Sequence, residues 1–113
     1  MTEYILTAAT PEPERVSILQ EGARLTSGDR DRTYGPPYTN LAAGAKVLTA
    51  YMVAKGLMQE GKELVAEDVA HFMSLVKITR TFHGGYHRDN YVDSGTYQAI
   101  AGECRQEEER RNG

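Results

Sequence analysis

The chain has 113 residues, 40% hydrophobic and 26% charged, which is enough for one domain with a modest core. Its formal net charge of -3 argues against broad attraction to long nucleic acid or an anionic membrane, and no apolar run is long enough to span a bilayer. No signal-peptide pattern opens the sequence, and one cysteine, Cys104, excludes an intrachain disulfide, so a reducing cytoplasm is expected.

Residues 1–13 read as an N-terminal arm. Tyr4, Ile5 and Leu6 form a short apolar hook, and Thr10, Pro11 and Pro13 break any regular structure. A single helical domain over 14–106 is expected to follow. Its first helix covers roughly residues 13–27, with Val16, Leu19, Ala23 and Thr26 along one face, and Gly28 ends it.

The loop GDRDRTYGPP comes next. Arg30, Arg32 and Tyr34 precede Gly35, Pro36 and Pro37. Guanidinium groups grip phosphate bidentately, a tyrosine ring can stack on a base, and paired prolines stiffen a loop. The alternative is a solvated turn in which Asp29 and Asp31 neutralise the arginines.

The second helix is expected from Tyr38 or Thr39, with Leu41, Ala45, Leu48, Tyr51 and Met52 at helical spacing and Gly56 at its end. MQEGKELVA is a connector. Glu67 and Asp68 suit the first turn of a third helix, whose apolar stripe is Val69, Phe72, Met73 and Val76. His83, Gly84 and Gly85 stop it. Asp89 or Asn90 is expected to cap a fourth helix, with Tyr97, Ile100 and Cys104 as its stripe. Residues 107–113 read as a charged, fraying tail. No segment alternates with period two. The fold class is therefore all-α, a small bundle of about four helices. Helices this short bury little, so completion by homo-oligomerisation is expected.

The stripe of the fourth helix, extended backwards from Cys104, runs through Ile100, Tyr97, Asp93 and Asp89. Carboxylates on an inward face need partners. The third helix, extended forwards, ends in Lys77 and Arg80. An antiparallel hairpin would set these cations beside the two acids, as both helix dipoles favour. The alternative is a metal site, with Glu67, Asp68, Asp89 and Asp93 holding Mg²⁺. Lys77 and Arg80 would repel such an ion. His83 and His87 are separated by two glycines, so no zinc site is expected there. Cys104, on an apolar stripe, reads as a packed thiol. No Walker A, GxGxxG or GxSxG motif occurs.

Together GDRDRTYGPPYTN, AEDVAHFMSLVKITR and HRDNYVDSGTYQAI resemble a small phage and prophage family of unknown function. The residues that carry the likeness are Arg30, Tyr34, Gly35, Lys77, Arg80, Asp89, Asn90, Asp93 and Tyr97. More distantly, the last motif is similar to phage nucleotide-modification-associated domains and MazG-like pyrophosphatases. The chain departs from the latter by lacking an ExxE motif on its second helix. The resemblance implies a phage origin and a nucleotide-linked role.

The expected function is a non-catalytic one, in the cytoplasm of an infected bacterial host. A helical homo-oligomer holds a small phosphorylated nucleotide without cleaving it. Arg30, Arg32, Tyr34, Gly35, Lys77, Arg80, Asp89, Asn90, Asp93 and Tyr97 form the ligand site, with no cofactor. Phage context suggests a host immune cyclic nucleotide as ligand, and hence counter-defence. One alternative is a Mg²⁺-dependent nucleoside triphosphate pyrophosphatase; the other is a protein-interaction module.

Overall fold

The computed structural model describes residues 12–28, 32–33 and 35–113. The expected hook of Tyr4, Ile5 and Leu6 lies outside the described residues, as do Asp29, Arg30, Asp31 and Tyr34. Among the described residues the architecture consists of four α-helices: α1 (Glu14–Thr26), α2 (Pro37–Ala54), α3 (Ala66–Thr79) and α4 (Arg88–Asn112). A 3₁₀ turn (Arg80–Phe82) continues α3, and no strand occurs among the described residues. The all-α expectation holds.

Local chemistry explains most helix ends. Pro37 opens α2 at its first position, where a missing N–H costs nothing, so the helix starts just ahead of Tyr38. A Schellman motif closes it: Gly56 N–H donates to the Val53 carbonyl (3.0 Å) and Leu57 N–H to that of Met52 (2.8 Å). Gly56 takes φ 74°, a conformation that disfavours a side chain. The connector is pinned by Thr49, whose Oγ1 accepts the Leu64 N–H at 2.9 Å. Asp68 caps α3 by accepting the Val65 N–H at 2.9 Å.

Two expectations about α4 need correction. Neither Asp89 nor Asn90 caps it. His87 holds the N-cap position without a side-chain hydrogen bond, and Asp89 lies in the first turn. Residues 107–112, expected as a tail, continue α4 as helix to Asn112. Glu107 pairs with Arg110 and Arg111, Arg105 with Glu109, and the Arg111 guanidinium lies 4.7 Å from the Tyr38 ring centre. Tyr38 Oη also donates to Glu108 at 2.7 Å. These i,i+3 and i,i+4 pairs and the clasp to α2 hold turns that composition alone leaves loose.

Helix α4 is the common partner: α1, α2 and α3 all pack on it, and α2 also packs on α3. α3 and α4 run antiparallel. Lys77 meets Asp93, Ser74 Oγ donates to the Ser94 carbonyl (3.0 Å), and Arg105 reaches Glu67. The start of α1 is tied to the start of α4 by Glu14, which accepts from Arg88 and Tyr86.

The buried residues are small. They are Ala45, Ala66, Ala70, Val92, Ala101 and Cys104, with Gly22 and Ser74 beside them. Two expected stripes are therefore displaced. On α1, Leu19 is exposed and Gly22 makes the close contact. On α3, the buried face is Ala66, Ala70 and Ser74, while Phe72, Met73 and Val76 face outward. The α2 and α4 stripes are met, except that Tyr51 is exposed.

Candidate ligand-binding cavity

A cavity of about 400 Å³ opens between the end of α1, the start of α2 and the middle of α4. Leu25 and Thr26 bound it on one side, and Pro37, Asn40 and Leu41 on another. Asp93, Thr96, Tyr97 and Ile100 line the α4 wall, at a spacing of three and four that puts them on one helical face. Gly35, at φ 82°, turns the chain into α2 at its rim. Its size falls within the range of small-molecule sites, and its walls mix apolar surface with a few polar groups.

Asp93 is the only acidic or basic side chain among the described lining residues. Lys77 Nζ, from α3, holds Asp93 Oδ2 at 3.0 Å, with side chains 19% and 34% exposed. A half-buried carboxylate facing a cavity is thus kept paired from behind, as its desolvation requires.

Half of the expected ion cluster is present. Asp93 and Lys77 meet, but Asp89 is exposed and Arg80 is exposed on the 3₁₀ turn, and no ion pair joins them. The reason is position along the helix. Asp89 lies on the same face as Asp93 but one turn nearer the start of α4. α3 has by then ended in the 3₁₀ turn and the Gly84–Gly85 bend, where both glycines take positive φ. Asn90 is half-buried, and its backbone N–H donates to the His87 carbonyl at 3.1 Å. Arg32 is exposed, just ahead of the rim glycine. Of the ten expected ligand residues, Gly35, Asp93 and Tyr97 line the cavity and Lys77 backs it; Arg30 and Tyr34 fall outside the described residues.

The alternative metal set does not converge. Glu67 and Asp68 stand in the first turn of α3, whereas Asp93 meets Lys77 near that helix's other end, about 15 Å of helical rise away. Glu67 is bound to His71 (3.0 Å) and Arg105 (3.3 Å), and these hold its carboxyl below the usual range, the His71 hydrogen bond most of all. Asp68 is engaged as the cap of α3. No group of three or more metal-capable side chains gathers among the described residues.

Sequence reasoning did not name Asn40, Thr96 or Leu25, and it took Leu41 and Ile100 as packing stripes without assigning them to a site. Asn40 lies in the first turn of a Pro-started helix. Thr96 lies three residues after Asp93 on α4 and could have been found by widening the Asp93 face, whereas no face of α4 leads to Asn40.

Residues 17–105 match the family described as a domain of unknown function, DUF6378. The match spans α1 through most of α4, and with them the whole described cavity lining. The chain is similar to the Gene 55 protein of Mycobacterium phage D29, with 38% identity over 81 residues, 72% of this chain and 48% of that protein. It is also similar to the Gene 55 protein of Mycobacterium phage L5, with 34% identity over 85 residues, 75% of this chain and 50% of that one. The chain therefore spans about half the length of the curated relatives it matches. No solved structure matches.

Proposed function

Because this chain belongs to DUF6378, a family with phage relatives, we propose that it holds a small phosphorylated nucleotide in the α1–α2–α4 cavity without cleaving it. The observation that carries this reading is the cavity wall itself: a paired carboxylate, Asp93, next to an aromatic ring, Tyr97, on one face of α4. Tyr97 offers a surface for a base. Asp93 accepts a hydrogen bond from a ring amine or a ribose hydroxyl, and Thr96 and Asn40 offer further polar contacts.

The carboxylate on the wall favours one direction for such a ligand. Asp93 repels phosphate, so the nucleoside end enters and the phosphates stay at the rim. There the first turn of α2 presents its positive dipole end. Asp93 is paired and Glu67 and Asp68 are engaged elsewhere, so the reading assigns them no hydrolytic role. In a phage setting, stoichiometric capture of a host signalling nucleotide, cyclic forms included, is a use that needs no turnover.

Mass spectrometry of small molecules released from the purified protein tests this. A nucleotide recovered intact, after incubation with Mg²⁺, is the expected result. Recovery of hydrolysed products, with turnover lost in Asp93→Ala, would replace capture with catalysis. Empty protein, with no thermal shift across linear and cyclic nucleotides, would remove the nucleotide reading.

A further inference from the structure

Helix α3 carries two apolar faces. The inner one, Ala66, Ala70 and Ser74, is small and buried against the other helices. The outer one is large and open: Phe72 is 38% exposed, Met73 37%, Leu75 54%, Val76 49% and Ile78 40%, and Phe82 follows on the 3₁₀ turn at 67%. Large apolar side chains left open on a helix that is already packed on its other side mark a surface for a partner. These six side chains leave on the order of 500 Å² of apolar surface, as large as the largest patch on an ordinary monomer.

We propose that this face pairs with the same face of a second copy of the chain, α3 against α3, antiparallel about a two-fold axis. Two features favour a second copy as occupant. Doubled across the axis, the patch reaches on the order of 1,000 Å², the lower bound for a specific interface. The helix is also self-complementary end to end. Its first turn carries Asp68, one of whose oxygens caps the helix, and Arg80 follows its last turn, exposed and with no ion pair among the described residues. An axis passing near residue 74 sets Arg80 of one copy level with Asp68 of the other, with Phe72 facing Val76 in between. Antiparallel pairing also aligns the two macrodipoles favourably.

The pairing is separate from the nucleotide reading, since the cavity lies between α1, α2 and α4 and none of these six residues lines it. Sedimentation equilibrium of the full chain, with and without Leu75→Glu and Val76→Glu, tests it. The wild type is expected at twice 12.5 kDa at micromolar concentration. Each variant is expected at 12.5 kDa with unchanged helical circular dichroism, because both side chains already face solvent in one copy. Arg80→Glu is expected to weaken association at least tenfold, and less so at high salt. A monomeric wild type overturns the proposal, even if it captures some other protein. So does an oligomer that survives both glutamates.

Discussion

Gly22 shows how closely the helices approach. A Cβ built there would stand 2.5 Å from Thr96 Oγ1, which itself donates to the Val92 carbonyl at 2.7 Å. Alanine ordinarily gains about 1 kcal/mol over glycine inside a helix. Here that gain is opposed by the Thr96 hydroxyl. Gly22→Ala is therefore expected to be more favourable in a Thr96→Ala background than in the wild type by about 1 kcal/mol, read from urea midpoints of the four proteins. Equal effects in both backgrounds would mean that the contact is looser than described. Lys77 and Asp93 form a second coupled pair. Lys77→Met leaves a half-buried carboxylate unmatched and is expected to cost about 1 kcal/mol, with most of that recovered in the Lys77→Met, Asp93→Asn double variant. Cys104 is 1% exposed, and burial, with Glu103, Glu67 and Glu108 around it, pushes its thiol from 9.0 up to about 11. The fold therefore keeps the proton longer than the unfolded chain does. Stability is expected to be independent of this group below pH 9 and to fall between about 9 and 11. Native protein should react with a thiol reagent far more slowly than urea-unfolded protein.

At the scale of elements, the sequence showed where helices start and stop better than which way they face. Pro36, Pro37, Gly56, Glu67, Asp68, Gly84 and Gly85 are local signals, and the structure uses them locally. The α4 face through Cys104, Ile100, Tyr97 and Asp93 was legible because its inward residues include large ones. The α3 face was not. Periodicity weighs large apolar residues, and Val69, Phe72, Met73 and Val76 do form a stripe, but close packing against α4 selects Ala66, Ala70 and Ser74 instead. The end of α4 was missed for a different reason: its anchors are long-range. Tyr38 on α2 binds Glu108 and sits under Arg111, contacts that no window of sequence displays. Tyr38→Phe keeps the ring and loses the hydrogen bond, so it should cost about 1 kcal/mol and raise hydrogen-exchange rates over the last turns of α4 and the first turn of α2. Glu107, held at about 2 chiefly by Arg110 and then by Arg111, keeps this segment's ion pairs charged in acid. Their contribution is present above about 4.5 and is lost as pH falls through about 2.

At the scale of the whole molecule, one chain buries mostly small residues, exposes a large apolar helix face and holds a cavity walled by three helices. The candidate site was legible only in part. Asp93, Tyr97 and Gly35 were found because one helix stripe and one turn pointed to them. Asn40, Thr96 and the apolar wall come from three elements that meet only in the fold. The claim that this cavity takes a nucleotide, nucleoside end inward, is tested most directly by calorimetric titration. Mono-, tri- and cyclic nucleotides of adenine and guanine would be titrated into wild type, Tyr97→Ala and Asp93→Asn. The account predicts at least one ligand bound at one per chain and released intact, with affinity weakened about tenfold, or 1.4 kcal/mol, in each variant. Absence of binding by every nucleotide, or binding that neither substitution alters, would contradict it.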